Sequence, residues 1–174
     1  MAGLPLITLP DFEALVLDRL ELCCQEIMGS TENVFRLPPA NALPPDRFPF
    51  CYPLVGAMVD PVPIETNGAG SITVTRVYGI RLLGSPVASV NDEPDNEGSR
   101  GLIDLVPYFN RFRQYFMGHP KLQTTTEDAL RYMSGQLSYI EGGQVVRPAP
   151  GGVEHWAIEP NLTITMKAQV STLA

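Results

Sequence analysis

Acid–base chemistry near neutral pH calls first on histidine, and the chain has two, His119 and His155. His155 follows Glu154, and a carboxylate beside an imidazole is the smallest equipment for general acid–base work. His119 stands in Gly118-His119-Pro120, a helix exit where a terminal carbonyl can hold the ring. A pocket gathering Glu154, His155 and His119 with shifted pKa values would define a small enzyme or ligand-binding domain. As a metal site the two histidines lack a third ligand at useful spacing. Asp92, Glu93, Asp95 and Glu97 could offer oxygen ligands to calcium. They lack the twelve-residue spacing and terminal bidentate glutamate of an EF-hand, so Asn91–Gly98 is expected to be an acidic, flexible, solvated loop without a structural metal. Gly68-Ala69-Gly70 introduces no helix and is no phosphate cradle, and no G-x-S-x-G elbow, Walker loop or G-x-G-x-x-G occurs. Cys23, Cys24 and Cys51 show no C-x-x-C spacing; an odd count without a framework predicts buried free thiols in a reducing compartment. The residues therefore assign no catalytic, cofactor-binding or metal-binding side chain.

The element that must carry His155 is the C-terminal run. Every even position from Trp156 to Val170 is apolar or proline, and the odd positions from Glu159 to Gln169 are polar. Alternation of this kind gives a strand with one dry and one wet face, in a sheet that is usually antiparallel. His155 falls on the wet parity. Pro160 lacks a ladder donor and predicts a bulge, a bend or an edge position. A second strand, Ser71–Leu83, puts Ile72, Val74, Tyr78, Ile80 and Leu82 on one face. Arg76 interrupts it, either snorkelling along that face or ending it. Phe50–Val59 is a third strand, weakened by Pro53, and pairing it with Ser71–Leu83 is the economical topology.

Helical periodicity appears twice. Phe12, Leu15, Val16, Leu20, Cys23 and Ile27 define an amphipathic helix over about residues 10–28, with Thr8 and Asp11 as a capping pair and Gly29 beyond its end. Leu102, Leu105, Val106, Phe109, Phe112 and Phe116 define another. Ser99 could cap it, Gly118 could end it, and Pro107 either kinks it or marks its proper start. Arg111 and Arg113 make it the most basic spot in the chain. Residues 29–49, with Pro38-Pro39 and Pro44-Pro45, form a long connector expected to be functional or mobile. Asp60–Gly70 and Gly84–Ser99 are further long loops. Leu130–Ile140 leans toward a strand, followed by a hairpin turn at Glu141–Gln144 and by Val145-Val146.

One α+β domain spanning residues 1–174 is the expected organisation: an antiparallel β-sheet with two main α-helices packed on one face. At this length about 70% of the unfolded surface is buried on folding. The net charge of −7 and pI near 4.7 argue against a domain that grips nucleic acid. No apolar run approaches a membrane span, and Met1–Pro10 lacks the basic and apolar regions of a signal peptide.

The order helix, Pro-rich connector, two strands, acidic loop, aromatic helix ending in Gly118-His119-Pro120-Lys121-Leu122, then strands closing in Ile158–Val170 resembles the tail-terminator family of tailed bacteriophages and its neck-protein relatives. The local likeness is greatest in Gly151-Gly-Val-Glu-His-Trp-Ala-Ile158 and in the threonine-alternating Asn161–Val170. The connector and Asp60–Gly70 are longer than that pattern. The resemblance implies a virion protein without enzymatic activity, catalytic residues, metal or cofactor. Such proteins form a homo-hexameric ring on the last ring of the tail-tube protein, stop tube polymerisation and offer a surface to head-completion proteins of the neck. Genomic DNA would pass the lumen without specific binding, since like charges repel. The expected place is the virion tail and neck, assembled in the host cytoplasm, with no membrane contact. A head-completion or stopper protein of the same neck is the neighbouring alternative. An enzyme or ligand-binding domain using Glu154 and His155 is the alternative of a different class.

Overall fold

The computed structural model describes residues 9–54, 65–66, 71–86, 102–119, 122, 138–146 and 148–169. Helix α1 spans Leu9–Met28. Its buried stripe is Val16, Leu20, Cys23, Cys24 and Ile27, at the spacing that puts side chains on one helical face. The helix ends where Gly29 takes φ +66°. The Gly29 N–H donates to the Glu26 carbonyl at 3.2 Å and the Ser30 N–H to the Gln25 carbonyl at 3.3 Å. This is a Schellman closure, which glycine adopts without the Cβ penalty.

The strands are β1 Phe50–Leu54, β2 Glu65–Thr66, β3 Ser71–Pro86, β4 Ser138–Val146 and β5 His155–Gln169. The sheet is antiparallel, in the order β1-β3-β5-β4, with β2 also pairing β3. The β3–β5 register sets Tyr78 opposite Leu162 and Leu82 opposite Ile158. Tyr78, Ile80, Leu82, Ile158, Leu162 and Ile164 are all buried in one cluster with Val16, Leu20 and Cys23 of α1. Helix α2, Val106–Gly118, adds Phe112 and Phe116 to the same cluster. The expected layering, both helices on the dry face, is therefore observed. The side chain of Met166, expected in this core, lies outside the described residues.

Arg76 does snorkel along the dry face: its Nε donates to Glu13 Oε1 of α1 at 3.2 Å. The β1 pairing runs from Phe50 opposite Leu83 to Leu54 opposite Gly79, with Pro53 on the outer strand of the order where a missing donor is tolerated. Gly79 lets that strand come close, because a Cβ there would stand 2.9 Å from Leu54 Cδ1 and 3.3 Å from Asn161 Oδ1.

Three expectations need correction. Glu141–Gln144 is no hairpin turn but lies inside β4, where the register shifts between Ile140 opposite Asn161 and Gln144 opposite Glu159. The irregularity sits opposite Pro160. A proline in a central strand cannot donate to its neighbour, and the neighbour bulges there. Helix α2 begins later than the stripe from Leu102 suggested: its N-cap is Leu105, without a side-chain cap bond, and Pro107 lies in the first turn, while Ser99 lies outside the described residues. The connector is also not a loose loop. The Phe35 N–H donates to the Cys51 carbonyl and the Cys51 N–H to the Asn33 carbonyl, both at 2.9 Å, so residues 33–35 lie along β1. Phe35, Leu43 and Phe48 then pack on Phe50, Tyr52, Leu83 and Ala157, on the face opposite the helices. The strand expected at Leu130–Ile140 is described only from Ser138. The acidic stretch Asn91–Gly98 and most of Asp60–Gly70 lie outside the described residues, as does the Thr8 cap.

Candidate functional site

The structure separates the three residues that acid–base chemistry would have needed together. His155 opens β5, where the β3 register shifts between Leu83 and Pro86. That extra residue turns the Gly84 carbonyl toward the imidazole, whose Nδ1 lies 3.0 Å from it. A carbonyl only accepts, so Nδ1 carries the proton. The ring is 2% exposed and meets Phe48 at 5.1 Å and Phe50 at 5.9 Å between centroids. Burial pushes its pKa below the ordinary 6.5, and the Gly84 bond opposes that only in part. The expectation that His155 lies wet is thus overturned. Its parity was assigned correctly, but the connector covers that end of the face. Glu154, its neighbour, is exposed.

His119 is held at the end of α2, on the helix-covered side of the sheet. Its Nδ1 lies 2.8 Å from the Tyr115 carbonyl, which also accepts its backbone N–H at 2.9 Å. Its ring stacks on that of Tyr115, with centroids 4.0 Å apart and planes at 16°. The helix-exit role expected for it is observed. His155 does not join this arrangement, since it packs against Phe48 and Phe50 on the opposite face.

A polar group that the periodicity did not reveal joins the two helices. The Tyr115 hydroxyl donates to Glu26 Oε2 at 2.6 Å. Burial first, and the Glu26 carboxylate second, raise the Tyr115 pKa far above 10.0 and keep the hydroxyl protonated. Cys23 beside it points its thiol at the Leu122 carbonyl, 3.9 Å away. Burial pushes that thiol up to about 12, so it stays protonated and a poor nucleophile at neutral pH. Cys24 and Cys51 form a buried thiol pair between α1 and β1, and their mutual hydrogen bond together with burial raises the Cys24 pKa. All three cysteines are free and buried, as expected. Leu122 is itself fully buried at φ 51°, a left-handed conformation costly for a branched side chain and held here by packing.

Beside the Tyr115 pair, Ile27, Arg111, Gln114 and Tyr115 line a shallow, open depression of about 340 Å³ between α1 and α2. Arg111 lies over the Tyr108 ring at 5.2 Å. A guanidinium, an amide and an aromatic edge can engage a carboxylate or a peptide surface. A protonated tyrosine bonded to a carboxylate offers neither a base nor a nucleophile. Among the described residues no three His, Cys, Asp or Glu side chains are grouped to hold a metal ion. None of the described helices is long and apolar enough to cross a membrane.

On the connector-covered face the polar order is local. Arg81 is ion-paired with Glu159 and lies over the Tyr52 ring at 5.9 Å. Further along, Thr75 and Thr165 share a hydrogen bond of 3.1 Å between their hydroxyls. Cross-strand pairs of these kinds hold register rather than bind ligands. Comparison with protein-family models, with curated proteins and with solved structures found no match to this chain.

Proposed function

We propose that this protein is a structural component of a tailed-phage particle, a tail terminator that forms a homo-hexameric ring on the tail tube. The observation that carries the reading is the long alternating strand β5, which follows Gly151-Gly-Val-Glu154 and sits between β3 and β4 with both helices on one face. It combines the local likeness and the element order in one arrangement. The acidic charge of −7 suits a lumen that lets DNA pass without adhesion. The structural employment of His155 in an aromatic cluster and of His119 at a helix end also favours a non-catalytic protein. In this reading the ring ends tube polymerisation, presents a surface to the head-completion proteins and becomes part of the virion after assembly in the host cytoplasm.

Deleting the gene from its phage and imaging the particles tests the proposal. A terminator predicts overlong tube polymers. Tails of normal length, with heads that leak DNA or fail to join, would assign the protein to the head-completion step instead. Normal virions together with a lost metabolic activity would discard the structural reading and direct attention back to the Glu154–His155 region.

A further inference from the structure

We propose that His155 is an acid-sensitive latch: a proton taken up by its ring releases residues 35–48 of the connector from the sheet. The latch belongs to the fold and does not rest on the ring reading. A chain of aromatic contacts runs from the histidine into the connector. The His155 ring lies 5.1 Å from Phe48 and 5.9 Å from Phe50 between centroids. Phe48 meets Phe50 at 5.6 Å, and Phe35 meets the same Phe50 edge-on at 5.6 Å. Phe35 and Phe48 therefore anchor the two ends of the segment on one ring of β1, and the imidazole packs against that ring and against Phe48. The three phenylalanines belong to a cluster separate from the one under the helices, so this cover can open while the helix side stays packed. Arg36 ties the segment to Asp18 and Glu21 of α1 only by surface ion pairs, which hold weakly.

The ring is sealed without a counter-ion. It is 2% exposed, and among the described residues its one polar partner is the Gly84 carbonyl, 3.0 Å from Nδ1. The titratable side chains on the elements around it are Asp46 and Arg47 in the connector, Tyr52 in β1, Arg81 in β3, and Glu154 and Glu159 before and along β5. None of them is bonded to the ring. Arg47 pairs with Glu32 and Arg81 with Glu159, while Asp46 and Glu154 are exposed. A second ring proton would put a cation where no carboxylate answers it, and burial penalises such a charge. The tilted face of Phe48 returns only part of that cost. Burial accordingly holds the ring's pKa below 6.5 against the pull of the Gly84 bond. Proton uptake thus favours the state in which Phe48 has moved away and the ring is wet. That state gains as pH falls below 6.5.

Amide hydrogen exchange on the full-length protein tests the latch, followed from about pH 7.5 to about pH 5 with the intrinsic exchange rates divided out. The reporters are the Phe35 N–H, bonded to the Cys51 carbonyl, and the Arg47 N–H, bonded to the Pro44 carbonyl. Their protection should fall several-fold across this window. Amides of α2 and of the paired centre of β3 and β5 should keep theirs. So should the Cys51 N–H, whose acceptor Asn33 adjoins Val34 in the helix-side cluster. In His155→Phe, which fills the ring's place without a titrating group, the fall should vanish. Carboxylates ordinarily titrate at about pH 4, below the window, and the variant subtracts whatever they add. Unchanged protection at Phe35 in the wild type overturns the latch. So does an equal fall in His155→Phe, and so does a parallel loss at α2, which is global unfolding rather than release. Should the variant fail to fold, the wild type still decides. The fall at Phe35 must begin below pH 6.5 and level off where the His155 ring itself titrates by NMR. A fall that ignores that titration overturns the latch.

Discussion

The two faces of the sheet are covered by different means. Under α1 and α2 the cover is periodic structure, and a broad cluster from Val16 to Ile164 fills the space. On the other face the cover is the irregular connector, which reaches one end and buries Phe50, Tyr52, Leu83 and Ala157 together with His155. Farther along, that face is managed by polar pairs such as Thr75–Thr165 and Arg81–Glu159. A helix brings many apolar side chains to a face at fixed spacing. A connector brings a few, and each works through its own contacts. The first cover should therefore respond to mutation as a packed core, and the second as a set of local anchors.

The largest effect is expected on the helix side. Phe112→Ala, fully buried between the layers, should cost about 3–5 kcal/mol in chemical denaturation. Gly79→Ala tests the crowding where β1 meets the sheet: the added methyl must displace Leu54 or Asn161 and should cost about 1–3 kcal/mol. On the connector side, Phe48→Ala removes a partly buried ring and should cost about 1–2 kcal/mol, in proportion to the apolar area it covers. A loss as large as that for Phe112 would erase the distinction between the two covers.

His155 adds a pH dependence confined to the connector side. Its folded pKa lies below 6.5, so the fold favours the neutral ring. The stabilisation is full above pH 6.5 and is lost as pH falls through the lower folded value. Thermal melts of the wild type should therefore drop in mildly acidic buffer more steeply than those of His155→Phe. Equal slopes would show that the ring does not sense the connector. The smallest effect belongs to Arg36→Ala, a surface pair with Asp18 and Glu21, at about 0–1 kcal/mol and weaker in salt.

How much of this could be read in the sequence follows the same division. Parity identified Ile80, Leu82, Leu162 and Ile164 as one buried face because strand geometry is fixed by the backbone. The helix stripes around Leu20 and Phe112 were readable for the same reason. The burial of His155 was not, because its cover comes from Phe48 in a proline-rich segment that has no period. Glu141–Gln144 resembled a turn because glycine pairs serve turns and bulges alike, and the cause of the bulge, Pro160, is on another strand. Tyr115 and Glu26 stand 89 residues apart, so no local pattern could couple them. Among the described residues no acid–base group is assembled, and adjacency in sequence could not reveal why: Glu154 precedes β5 and is exposed, whereas His155 is buried beside Phe48.

The hydrogen bonds from residues 33–35 to Cys51 have a consequence for solubility. An open strand edge is a template on which a foreign strand can grow, and many proteins defend it with charge or proline. Here the chain lays residues 33–35 against Cys51 and closes that point of the β1 edge before another molecule can, with Pro53 farther along the same strand. Cutting out the connector would leave a fold that still has its helices and central strands but exposes β1 as a site of intermolecular strand addition. Such a truncated protein should fail by precipitating rather than by melting, and its loss should worsen with concentration.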